Sequence, residues 1–435
     1  MASKNPHRTL VPYHGREIED LNSLSNAFSK SRPIRILLVI ISVLLAPARS
    51  SAQEPPSPAE PHHHADPAPV NSWSWSSDGN AFFGYNRQQR KFADFSAWES
   101  QNWGMLAGSR TLGRGKLTVE GMVSLEPFTI KALGSPQLYQ TGESYEQVPL
   151  VNYQHPHDLL MGLGATYRVE RPRVTYLVSA ALVGAPALGP TAFMHRDSAR
   201  DNPQAPLSHH SLDSTHITPG VLTAGVASGP FMFEASLFRG EEPDENRTNI
   251  ERPRLNSWST RVSWRRASWN AQISGGRLHD PEWFEPYMVT RLTASIGFNG
   301  SIASRPLAVT IAWGENREDN GFDNVDDSYL AEWDLRATPR TTIYGRAEQT
   351  TKQVLGLGFH PRGFTHPHFY SHIDAVTLGM VRDLPAIRWS RVGVGADITV
   401  YPRTSPEMTD LYEGSHSYHV FLRWRPSGIS TGHVH

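Results

Sequence analysis

Ser257–Arg266 reads SWSTRVSWRR, and 267–278 continues as ASWNAQISGGRL. In the first run Trp258, Thr260, Val262 and Trp264 share one parity, while Ser259, Arg261, Ser263 and Arg265 share the other. A two-residue period marks a strand with one apolar and one polar face. Trp269, Ala271 and Ile273 then stand against Asn270, Gln272 and Ser274 after a tight Arg-Arg-Ala-Ser connection, so the two runs form an antiparallel hairpin. Aromatic residues fall near the ends of the apolar face, where an amphipathic ring suits a bilayer interface. The residues of the other face suit a wet interior.

The same plan repeats from Gly79 onward. Alternating runs begin near Ala81, Asn102, Gly115, Leu159, Arg173, Ile217, Phe231, Ser257, Ser268, Val289, Leu307, Ser328, Thr341, Ile373, Arg388 and Ser417, which gives about sixteen strands. Every second gap is short, as at 112–114, 228–230 and 265–267. The gaps between are long and polar, among them 87–100, 126–158, 184–216, 240–256 and 352–372. Short turns on one rim and long loops on the other predict an all-β fold, a transmembrane antiparallel barrel with periplasmic turns and extracellular loops.

Parity sorts the side chains. Leu307, Val309, Ile311 and Trp313 face outward on one strand, and Val392, Val394, Ala396, Ile398 and Val400 on another. Inward, and therefore pore-lining, are Arg261, Arg291, Glu332, Asp334, Arg336, Arg346, Glu348, Arg391, Asp397 and Arg423. Turning the Ser257 strand by one residue would place Arg261 in lipid at a cost of roughly 2–4 kcal/mol, so its register is well specified. From Ile373 to Asp383 either parity can be argued. The mixed signs of the inward set favour bracing across the lumen with a residual polar channel over ion selectivity. Trp103, Trp258, Trp264 and Trp424 read as interface anchors.

The totals exclude several classes. Among 435 residues, Lys+Arg (41) and Asp+Glu (42) nearly balance, which gives no support to nucleic-acid binding by bulk charge. The absence of cysteine excludes disulfides, thiolate metal sites and thiol catalysis. A hydrophobic content of 38% is too low for a bundle of membrane helices, whereas in a barrel only alternate residues meet lipid. Arg32 and Arg35, the apolar run Ile36–Leu45 and small residues up to Ala52 read as a secretory signal over 1–52, with an extended n-region. The stretch 53–78 reads as a Pro- and His-containing disordered spacer, 79–426 as the barrel and 427–435 as a tail.

Several segments resemble those of a family of uncharacterised porin-like outer-membrane β-barrels of Gram-negative bacteria. They are Pro136–Glu143 (PQLYQTGE), Gln154–Gly162 (QHPHDLLMG), Phe193–Pro206 (FMHRDSARDNPQAP), His209–Gly220 (HHSLDSTHITPG), Gly240–Arg247 (GEEPDENR) and the ending Tyr418–Pro426. The similarity covers most of the mature chain and implies a secreted porin-like barrel, with no substrate. Where the family often places Trp after the paired histidines, Ser211 follows His210 here.

Two loop constellations carry possible chemistry. His155 and His157 are two apart, so in an extended chain both can point one way, as copper or zinc would require; His366, His368 and His372 crowd a second loop. Spacing without a four-ligand pattern fits imidazoles bonded within folded loops better than metal capture. Ser208, His209, His210, Asp213, Ser214 and His216 contain the groups a hydrolase needs, although no nucleophile elbow is present. The sequence thus predicts an outer-membrane barrel, in contact with lipid and with no catalytic role, for passive passage or uptake of small polar solutes or metal ions through a lumen partly filled by folded-in loops. A surface metal-binding barrel, a hydrolase and a closed structural barrel are the alternatives.

Overall fold

The computed structural model describes residues 72–146, 148–282, 286–321, 324–353, 370–385 and 390–426. The leader, residues 53–71 of the spacer, the tail, His366 and His368 lie outside them.

Sixteen strands form one sheet. They are β1 (Ser74–Arg90), β2 (Ala93–Glu99 and Asn102–Leu112), β3 (Gly115–Val123), β4 (Leu160–Glu170), β5 (Thr175–Gly184), β6 (Thr218–Ser228), β7 (Phe231–Phe238) and β8 (Ser257–Arg266). The series continues with β9 (Trp269–His279), β10 (Met288–Ile302), β11 (Arg305–Glu318), β12 (Val325–Thr338), β13 (Thr341–Lys352), β14 (Ser371–Asp383), β15 (Ser390–Thr404) and β16 (His416–Pro426). Each pairs antiparallel with the next, and β1 closes the circuit on β16 through Ala81↔Trp424 to Gln89↔His416. Closure leaves no unpaired edge, which a sheet inside hydrocarbon requires. No helix among the described residues is long and apolar enough to cross a membrane.

The alternation read from Ser257–Leu278 holds. Trp258, Val262 and Ile273 are exposed on the outside, while Ser259 and Ser274 are buried inside. The hairpin register pairs Val262 with Ile273 and Trp264 with Ala271, so like faces match across the strands. Turns on one rim are tight: at Ala303 and Ser304 φ is 49° and 61°, the paired left-handed conformation whose twist suits a two-residue hairpin.

Three expectations are corrected. The gap at 87–100 is not a long loop. β1 runs on to Arg90, turns at Lys91-Phe92, and pairs with Ala93–Glu99 in the register that Asn102–Leu112 continues. Beyond the bilayer the outward face need not be apolar, so the periodicity fades while the strand continues; an Arg87–Asp94 ion pair at 2.6 Å bridges the two strands there. The barrel accordingly begins at Ser74 and not at Gly79. Trp103 is not an interface anchor, because it packs inward against the His195 ring, with centroids 4.5 Å apart.

On β14, Val376, Leu378 and Met380 face out, and Ile373, Ala375 and Val381 face in. Both faces are apolar because the interior here is a packed core and not water. Ile373 and Ala375 join Leu138, Tyr139, Leu207, Met408 and Tyr412 in one cluster, while Val381 packs with Phe82, Tyr344 and Phe421. Leu138, Tyr139 and Leu207 come from connections between strands, so loops have entered the barrel.

Candidate functional site

The connection 185–217, between β5 and β6, fills the lumen, and nearly every residue from Ala187 to Ile217 is buried or half-buried. Its path follows from its wall contacts. Asp197 accepts from Asn299 Nδ2 at 3.0 Å, three residues before β10 ends at the short-turn rim. Asp201 meets Arg423 and Arg425, near the same end of β16. Ser208 and Leu207 sit at the opposite end, where Ser208 Oγ donates to Glu348 Oε1 (2.9 Å) and Lys352 Nζ donates to the Leu207 carbonyl (2.8 Å). The loop therefore descends most of the barrel's depth and returns.

Its mid-section is clamped by charge. Arg196 gives Nη1 to Asp213 of the same loop at 2.5 Å and Nε to Glu332 on β12 at 2.6 Å. Glu332 also accepts from Ser198 Oγ (2.9 Å) and Arg346 Nε (3.3 Å). Arg346 Nη1 in turn donates to the Gln204 carbonyl at 2.9 Å. Close approach is possible because Gly314 stands on the inward parity of β11: a Cβ there would lie 2.2 Å from the Ser211 carbonyl oxygen. Burial drives the Asp213 carboxyl upward, but Arg196 and then His209 outweigh it and hold the group below its ordinary range. For Asp201 burial is likewise overcome by Arg425 and Arg423, leaving it at about 2.

Carboxylates and imidazoles form a second layer toward the loop rim. His209 Nδ1 lies 2.6 Å from Asp213 Oδ1, His157 Nδ1 lies 2.9 Å from Glu126 Oε2, and His216 Nδ1 lies 2.9 Å from the Asp213 carbonyl. Burial lowers the pKa of His209, against the pull of Asp213. His216 is held well below the usual imidazole range by burial and by the neighbouring His209 and His157. Glu143, from connection 124–159, contacts His155 and lies 3.1 Å from His210 Nε2, so it ties that connection to the central loop. Burial brings His155 down to about 4 despite Glu143.

The ten residues expected to line a pore all face inward, most of them paired. Arg261 binds Glu234 (2.9 Å), Arg291 reaches Asn316 and Ser214, and Asp397 accepts from Tyr344 and contacts His419. Arg336 and Arg391 share Asp383 with Arg423 at the short-turn end. Asp334 lies beside Asp201. The partners of the set lie both on the wall and on the inserted loop.

Among the described residues, neither sequence constellation converges on one site. His155 and His157 turn to separate carboxylates, Glu143 and Glu126, and do not converge on one point. His372 contacts Asp374 at 2.9 Å. The hydrolase arrangement is not assembled: the Ser208 hydroxyl is spent on Glu348 and the Ser214 hydroxyl accepts from Arg291, so neither is activated by His209. Arg196, Asp201, Glu143, Lys352 and Gly314 were missed. Only Gly314 and Lys352 carried a signal, through their inward parity; the loop residues had no partners until the loop was placed.

A closed sixteen-strand circuit with an apolar outer belt and a charged, loop-filled interior fits one setting. The chain is a transmembrane β-barrel. Solved barrels of similar shape include an anion-selective porin from Comamonas acidovorans (TM-score 0.48, 11% identity, 81% of this chain and 100% of that one). Others are OmpF of Salmonella typhi in complex with daunomycin (0.49, 10%, 82% and 98%) and a loop-L8 deletion mutant of OmpT, an outer membrane protein of Vibrio cholerae (0.46, 10%, 81% and 99%). No protein-family model and no curated protein matches this chain.

Proposed function

We propose that this barrel passes small polar solutes or metal ions passively across the outer membrane, along a path between the inserted loop and the wall. The supporting observation is the chemistry of that boundary. Along β10 to β13 and on β16 the loop is held through Asp197, Arg196, Ser198, Asp201 and Ser208, by ion pairs and hydrogen bonds to wall side chains. Water and small ions can replace such contacts as the loop shifts, whereas a continuous apolar seal would exclude them.

Planar-bilayer conductance tests this. The wild-type barrel is expected to give small, infrequent openings. Glu332→Gln, which keeps the side-chain shape but discharges the acceptor of Arg196 and Arg346, is expected to open more often. If both proteins insert and neither conducts, passage is excluded and the closed structural barrel stands.

A further inference from the structure

Outside the clamp, three loops converge at one point. A ring nitrogen of His210 and one carboxylate oxygen each from Glu242 and Glu282 all lie within 4.8 Å of one another. His210 is on the central loop, Glu242 on the connection 239–256 and Glu282 on 280–287. A backbone bond from Glu242 N to the Pro281 carbonyl (2.9 Å) zips the outer two connections together and sets the carboxylates side by side. Among the described residues no lysine or arginine pairs with Glu242.

We infer that His210, Glu242 and Glu282 bind a divalent first-row transition metal, with zinc as the best match. Two carboxylates this close repel unless a cation or a proton lies between them. A third carboxylate, Glu143, lies 3.1 Å from His210 Nε2 and adds negative charge beside the ring. One nitrogen and two oxygen donors suit zinc, whose ligand distances are about 2.0–2.2 Å. The imidazole favours zinc over magnesium or calcium. The ring is buried and the two carboxylates are half-buried, so the outer loops bring the anionic ligands to a buried base. This site differs from the His155 and His157 pair that the spacing suggested.

The test is calorimetric titration of the folded, detergent-solubilised full chain with zinc chloride. One saturable site is expected, weakened at least tenfold in Glu242→Gln/Glu282→Gln, retained in His366→Ala/His368→Ala, and not displaced by millimolar magnesium. Heat-modifiable gel migration verifies that each variant is folded. His210→Ala, if it folds, should match the double Gln variant. No saturable binding by the wild type, unchanged affinity in the folded double Gln variant, or equal competition by magnesium would each overturn the assignment. Zinc binding is read without current across a membrane, so this site and the passage proposal can fail separately.

Discussion

Removing the Arg196 guanidinium should release the loop while leaving the barrel closed. In Arg196→Ala, Asp213 keeps only His209 (2.6 Å) as an ionic partner, and Glu332 keeps Arg346 (3.3 Å) and Ser198 (2.9 Å). Breaking a buried pair by deleting one partner costs about 3–5 kcal/mol, because a buried charge is left uncompensated. Both carboxylates retain another contact, so the lower figure applies. About 3 kcal/mol corresponds to roughly a hundredfold increase in the open population of the loop. Hydrogen–deuterium exchange in nanodiscs reads this directly: amides of residues 193–213 should exchange roughly a hundred times faster, while those of β11, β12 and β13 keep their protection. Arg196→Lys should recover only part of the effect, since one ammonium cannot reproduce the Nε and Nη1 bonds together. Unchanged exchange across 193–213 in Arg196→Ala would refute the claim that this clamp holds the loop.

Gly314→Ala should act on the same loop from the wall side, because its Cβ would meet the Ser211 carbonyl at 2.2 Å; about 1–3 kcal/mol of lost docking should appear as faster trypsin nicking at Arg196 or Arg200. Val262→Arg, set between Phe233 and Ile273 on the outer belt, should lower barrel stability in urea by about 2–4 kcal/mol, and a neutral result would place that face out of lipid. Asp201 supplies a pH test. Its folded pKa of about 2 lies below the ordinary 3.8, so its contribution is complete above pH 3.8 and is lost as pH falls through 2. Loop protection should therefore weaken by on the order of 2 kcal/mol between about pH 4 and pH 2, and Asp201→Asn should remove that part of the pH dependence.

Periodicity by itself determined the barrel. A two-residue alternation survives any rearrangement of loops, because lipid outside and polar contacts inside act on every residue of a spanning strand. Strand number, the rim asymmetry and the inward parity of Arg261, Glu332, Arg346 and Arg423 were all legible in this way. Two signals failed where that contrast vanishes. β1 and β2 continue as paired strands through Arg87–Asp94, where the outward face is polar, and β14 has Ile373 and Val381 facing a packed interior, so both of its faces are apolar.

What occupies the lumen was decided only by tertiary structure. Arg196 is 136 residues from Glu332, and Asp201 is 222 from Arg423, so their charges are ordinary loop charges until the loop is folded inside the wall. The same holds for His210, Glu242 and Glu282, which three separate connections bring together. Local spacing records which face of a strand a residue takes, because neighbouring residues share one backbone. It carries no record of which distant side chain will neutralise a buried charge, because that choice is made by the closure of the whole barrel around its own loop.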